Sequence, residues 1–262
     1  MGIVNVTPDS FFDGGRYLDS AAAVDHARAL VAEGADIVDV GGESTRPGAT
    51  AVPLEEEMRR VLPVVEALAG QVRLSIDTTK AQVAKACLEA GASLLNDVSS
   101  TLAETAAACG AGYIAMHRQG SPRDMQRAPH YDDVVKEVFA FLGTAASRAK
   151  SLGVDEVYVD PGIGFGKTVR HNLELLAALA DLAAAGTPVL VGTSRKSFLG
   201  HLGAGGAIDG HLGDVEPLAP EDRFEGSLAT AVWAMSAGVA ILRVHDVKAT
   251  AHAARLVAEA AA

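Results

Sequence analysis

Eight short apolar runs, each followed by a helical stretch, constrain this chain more than any single motif. They are GIVNV (2–6), DIVDV (36–40), VRLSID (72–77), SLLND (93–97), GYIAMH (112–117), VYVD (157–160), PVLVG (188–192) and AILRVH (240–245). Rich in Val, Ile and Ala, they read as strands buried on both faces, the pattern of a parallel sheet covered by helices. The helical stretches carry their own punctuation. The first begins near Asp19 and stops before Gly34; the second, 54–68, follows Pro53, is acidic in its first turn and stops before Gly70. Others are expected near 79–90, 101–109, 132–152, 170–184, 221–237 and 247–260.

Eight strand–helix units in 262 residues predict an α/β protein, a (β/α)8 TIM barrel forming a single domain over residues 1–262, with a doubly wound open sheet as the alternative. The glycine-rich segment Gly200–Pro220 reads as a long connection after the seventh strand, a flexible rim with little chemistry. Apolar residues make up 49% of the chain and charged residues 21%, which is ordinary for a soluble protein with a sizeable core. The formal net charge of -11 argues against nonspecific nucleic-acid binding but leaves room for a local cationic pocket. Cys87 and Cys109 stand in helical stretches without a CxxC, as small apolar residues with free thiols. With no apolar run long enough to span a bilayer, a cytoplasmic protein with no membrane partner is expected.

In a barrel, chemistry gathers where strands end and loops begin. Those positions are Asn5, Asp39, Asp77, Asn96, His117, Asp160, the triplet Ser194-Arg195-Lys196, and Arg243 with His245. One strand-terminal aspartate usually caps a turn; a full ring of polar ends aimed at one mouth is more than capping needs. Asp77, Asn96 and Asp160 could meet the adjacent N–H donors of an aminopyrimidinone ring, because carboxylates accept paired hydrogen bonds. Arg46, Lys196 and Arg243, with His245, could hold a phosphorylated group. For Arg46 and Arg243 the competing reading is an ion pair with Asp39 or Asp246.

The stretch VDPGIGFGKT (159–168) looks like a phosphate-binding loop, but that motif needs a glycine where Pro161 stands. Its glycines and Asp160 find another explanation in a family resemblance. MGIVNVTPDSFFDGG (1–15), VDVGGESTRPGA (38–49), SIDT (75–78), NDVS (96–99), DPGIGFGK (160–167), GTSRKSFLG (192–200), EGSLA (225–229) and RVHDV (243–247) resemble, in order, the signature blocks of the dihydropteroate synthases. Singly, NDV or SID is weak; the first two blocks and the ordered set are highly specific. The resemblance departs in that family members carry a segment ahead of the first strand.

The resemblance implies a transferase of an alkyl group other than methyl. It would condense p-aminobenzoate with 7,8-dihydropterin-6-ylmethyl diphosphate in folate synthesis, the diphosphate leaving before the aniline nitrogen attacks. By the same resemblance Asn5 helps bind Mg2+ on the diphosphate and Asp13 contributes to the closed state. Arg243 and His245 hold the diphosphate, while Asp77, Asn96, Asp160 and Lys196 hold the pterin, with Asp39 beside them and Met116 against the ring. Thr45, Arg46, Pro47, Phe165, Lys196 and Ser197 frame the p-aminobenzoate site, where sulfonamides compete, and a homodimer is implied. Lys167 is then exposed or structural rather than a phosphate ligand, and His117 a hydrogen-bonded structural histidine. Two rivals remain open: a pterin-dependent methyltransferase domain, which would not need Arg46, Lys196, Arg243 and His245, and a non-catalytic pterin-binding paralogue.

Overall fold

The computed structural model describes residues 1–7, 18–44, 49–121, 124–209, 212 and 214–261. Its strands are β1 (Gly2–Asn5), β2 (Ile37–Gly41), β3 (Arg73–Asp77), β4 (Leu94–Asp97), β5 (Gly112–Met116), β6 (Val157–Asp160), β7 (Leu190–Val191) and β8 (Ile241–Leu242). All eight expected runs supply one. β1 to β6 pair in sequential parallel order, and β7 pairs with β8. Parallel bridges Val159↔Val189 and Gly2↔Val244 join the two sheets at both seams. Backbone bonds from Val159 N to the Pro188 carbonyl (3.0 Å) and from Ile3 N to the Val244 carbonyl (3.1 Å) reinforce them. The sheet therefore closes into a (β/α)8 barrel, and the open-sheet alternative falls: its strand order would reverse and leave edges.

The helices are α1 (Leu18–Ala32), α2 (Leu54–Leu68), α3 (Ala81–Glu89), α4 (Ala103–Ala108), α5 (Val134–Ser151), α6 (Val169–Ala177), α7 (Leu179–Ala184), α8 (Ser197–Gly203), α9 (Phe224–Ser236) and α10 (Val247–Ala261). Two departures from the sequence reading stand out. The helix expected over 170–184 breaks at Ala178, where ψ reaches 6°, although no Gly or Pro marks the break. The supposed loop over 200–220 begins inside α8, whose His201 is buried with Nε2 2.9 Å from the Ala207 carbonyl. It is tied further by bonds from Leu218 N to the Gly200 carbonyl and from Arg223 Nε to the Leu218 carbonyl.

Successive strand side chains alternate between the barrel interior and the helical shell. The shell-facing set, including Val38, Val40, Leu74, Ile76, Leu95, Tyr113, Ala115 and Val159, joins the main core. The interior set forms a separate cluster of Ile37, Leu94, Ile114, Leu190 and Ile241, with Met1 and Tyr158 against it. Counting on by two along the same strands reaches Asp39, Asn96, Met116, Asp160 and Arg243. The interior is thus apolar at its base and polar at the mouth, and the same alternation that builds the barrel aims the candidate site.

Candidate active site

Asp39 lies mid-strand, two residues short of the end of β2, which corrects its reading as strand-terminal. Buried, it belongs to the floor of the site. Its Oδ2 accepts from Asn96 Nδ2 (3.0 Å) and from Arg243 Nε (2.7 Å). Its Oδ1 has no hydrogen-bond partner among the described residues. Arg243 Nη2 donates to Asp77 Oδ2 at 2.8 Å, so one guanidinium spans the carboxylates of two strands. The competing ion-pair reading of Arg243 is therefore seen, with Asp39 and Asp77, while Asp246 is taken by Arg195 at 2.7 Å. Burial pushes the Asp77 carboxyl up to about 7, against the pull of Arg243. Burial opposes the charge on Arg243, but the two carboxylates hold its pKa above the ordinary value.

Asp160 ends β6 and accepts from Gly162 N at 2.7 Å. Burial raises its pKa, against the cation of Lys196. Lys196 precedes α8, donates to the Ile163 carbonyl and stands 4.6 Å from the Phe165 ring centroid. Burial lowers its ammonium to about 8, with Asp160 working the other way. Ser197 is the first residue of α8. The chain reaches Lys196 through Arg195, a non-glycine residue at φ 58°. Ser227, Arg223 and Asp246 hold that turn by bonds to its N–H, carbonyl and guanidinium. Consequently Ser194 Oγ faces His245 Nδ1 at 2.9 Å while Lys196 points toward Asp160.

The loop after β6 runs against the segment after β5. Gly162 and Gly166 have φ of 65° and 63°, and a Cβ on either would lie 1.8 Å from the His117 carbonyl oxygen or 2.2 Å from that of Gln119. Glycine is required at both. Lys167 does not face solvent or a phosphate: its Nζ is fully buried, 3.0 Å from His117 Nδ1. Burial, then the neighbouring Lys167 charge, push His117 down to about 3, so its ring is neutral with Nδ1 accepting. Thr168 caps α6 by accepting from His171 N, which is where the phosphate-loop likeness ends.

Asn5 and Met116 end β1 and β5 on the inner face. Asp13, Thr45, Arg46 and Pro47 lie outside the described residues. The structure adds a cluster that sequence reading did not find: buried Glu57 on α2 accepts from Thr78 Oγ1 (2.6 Å) and from Lys80, and Lys80 also bonds Glu43. Glu43 in turn accepts from Val52 N at 3.1 Å.

A closed (β/α)8 barrel with carboxylates and an amide at the inner mouth, and cations around them, defines a barrel enzyme for a small ligand combining hydrogen-bond donors with negative charge. The family described as pterin binding enzyme matches residues 1–245. The chain is 46% identical to the dihydropteroate synthase of Escherichia coli strain K12, across 98% of this chain and 89% of that protein. Among solved structures, the Xanthomonas albilineans dihydropteroate synthase with 4-aminobenzoic acid superposes with a TM-score of 0.88 at 45% identity, covering 100% of this chain and 92% of that one. The Yersinia pestis dihydropteroate synthase with a sulfonamide drug complex gives 0.88 at 43%, covering 100% and 94%. The chain belongs to the pterin-binding enzyme family.

Proposed function

We propose that the chain is a dihydropteroate synthase, joining 7,8-dihydropterin-6-ylmethyl diphosphate to p-aminobenzoate and releasing 7,8-dihydropteroate and diphosphate. The observation that carries this reading is the acceptor floor of Asp39, Asp77, Asn96 and Asp160 beneath Lys196, Arg243 and His245. The aminopyrimidinone edge presents N–H donors, which Asp77, Asp160 and the Asn96 carbonyl accept. For Asp77 to do so, Arg243 gives up that carboxylate and turns to the diphosphate, which His245 also meets. Met116 packs against the ring.

The electron-rich dihydropterin carries positive charge at its exocyclic carbon as the C–O bond breaks. The p-aminobenzoate nitrogen then forms the C–N bond and sheds a proton. The protein's share is to stabilise the departing oxyanions and hold the nucleophile in line, the latter by Phe165, Ser197 and Lys196 with Thr45, Arg46 and Pro47. Asp13 is assigned to closure of the site. Sulfonamides, which resemble p-aminobenzoate, are the expected competitive inhibitors.

Among the described residues no cluster of three His, Cys, Asp or Glu side chains could hold a metal. Asn5 offers one neutral oxygen at the inner mouth, a donor that suits Mg2+ only where the diphosphate supplies most other ligands. Bound in that way, the ion would offset leaving-group charge. A homodimer is proposed from the apolar surface of the adjacent helices α9 and α10, where Trp233 and Leu256 are 57% and 61% exposed. No helix among the described residues is long and apolar enough to cross a membrane; a cytoplasmic location is part of the proposal.

The deciding experiment is diphosphate release from dihydropterin-methyl diphosphate with Mg2+, with and without p-aminobenzoate. Release coupled to dihydropteroate is expected. Tight pterin binding without product, under conditions where the Escherichia coli enzyme turns over, would overturn the catalytic reading in favour of a binding protein.

A further inference from the structure

Five consecutive carbonyls after Pro161 each accept a side-chain hydrogen bond. Lys167 reaches the Gly162 carbonyl (3.0 Å) and that of Phe165 (3.1 Å). Lys196 reaches Ile163, Gln126 Nε2 reaches Gly164 (2.7 Å) and the Tyr131 hydroxyl reaches Gly166 (2.9 Å). Backbone in a regular element would satisfy its carbonyls internally; here one such bond remains, from Phe165 N to the Gly162 carbonyl at 3.0 Å, and the side-chain donors come from Lys167 at the end of the turn and from Lys196, Gln126 and Tyr131 elsewhere in the barrel. Lys167 supplies two of the five and is the donor that sits wholly beneath the loop.

Burial lowers its pKa to about 7, against the pull of Asp160, yet the acceptors around it suit an ammonium. Three acceptors, His117 Nδ1, the Gly162 carbonyl and the Phe165 carbonyl, lie within 3.1 Å of Nζ, and a protonated lysine has three N–H bonds to give. Gly162 is then held on both sides of its Cα: its carbonyl is held by Lys167, and its N–H donates to Asp160 Oδ1. His117, at the end of β5, completes a brace between two neighbouring strands.

We infer that Lys167 is a positioning residue for the pterin pocket: by holding the Gly162 and Phe165 carbonyls against His117, it fixes Gly162, whose N–H orients the Asp160 carboxylate. This rests on the reading of Asp160 as a pterin ligand. Lys167 touches neither substrate and takes no part in bond making. Asp160 without its braced partner would sample other rotamers, so the loss should fall on pterin affinity rather than on the chemical step.

The test compares the parent with Lys167→Met, which keeps the apolar stem and removes the three donors. Direct binding of dihydropterin-methyl diphosphate is measured by calorimetry alongside steady-state kinetics. The expected result is pterin affinity weakened at least ten-fold, with kcat at saturating substrates changed less than three-fold. Lys167→Gln, which keeps two donors, should recover part of that affinity. Affinity within two-fold of the parent in a folded Lys167→Met protein would overturn the inference, while a parent that binds pterin but makes no product would count against the synthase reading alone. If neither variant yields folded protein, Lys167 supports the whole barrel rather than the pocket, and the inference also fails.

Discussion

Arg243 shows how one residue can serve structure and chemistry by turns. Its side chain bridges Asp39 and Asp77, and truncation leaves two buried carboxylates facing each other. Arg243→Ala is therefore expected to cost turnover about a thousand-fold and stability about 2 kcal/mol, the latter at the low end for a buried pair because the side chain is 21% exposed. Kinetics with chemical denaturation separates the two effects; a variant as active as its parent removes Arg243 from the site. Lys196 makes a pH prediction. Its ammonium is held down to about 8 by burial, so charge is present below that pH and lost above it. Thus kcat/KM should fall above about pH 8, and Lys196→Arg, charged throughout, should abolish that limb whatever its effect on the maximum rate.

Among elements, the turn between β6 and α6 is the most demanding. Gly162→Ala would place a methyl carbon 1.8 Å from the His117 carbonyl oxygen in a left-handed conformation. A loss of roughly 3 kcal/mol, or about 10 °C in Tm for a chain this size, is expected from scanning calorimetry. Gly70, also at positive φ but with nothing within 4 Å of an added methyl, should cost only about 1 kcal/mol on the same substitution. Much at this scale was legible in the sequence. The eight strands were visible because buried parallel strands are apolar throughout, and α2 was bounded correctly by Pro53 and its acidic first turn. The break at Ala178 was not, since no local signal accompanies it, and α8 was hidden by glycines that usually mark loops. The Lys167–His117 and Lys80–Glu43–Glu57 contacts join residues distant along the chain, so only closure of the barrel brings them together.

Across the whole molecule, His117 and Asp77 pull stability in opposite directions with pH, and His117 is the group that contributes acid sensitivity. Its folded-state pKa is about 3, below an ordinary histidine near 6.5, so between these values the unfolded chain takes up a proton that the folded one excludes. The His117 contribution to stability should therefore fall as pH drops through that window, by up to about 1.4 kcal/mol per unit, while Asp77, protonated more readily folded than unfolded, offsets part of it. His117→Asn should flatten that slope in urea titrations from pH 4 to 7; an unchanged slope would assign it elsewhere. The barrel's polar mouth was readable as a ring because parity along each strand is fixed, whereas the depth of Asp39 was not, because register depends on closure.

The carbonyls that hold the turn after β6 belong to the main chain, and inheritance can edit only side chains. No point substitution deletes the acceptors at Gly162 through Gly166; variants that release these carbonyls, including any that thereby blunt an inhibitor, act through the donors Lys167, Lys196, Gln126 and Tyr131. Selection for drug escape acting on this turn would then leave its record at positions scattered along the gene, three of them lying outside the motif that looks most like the target.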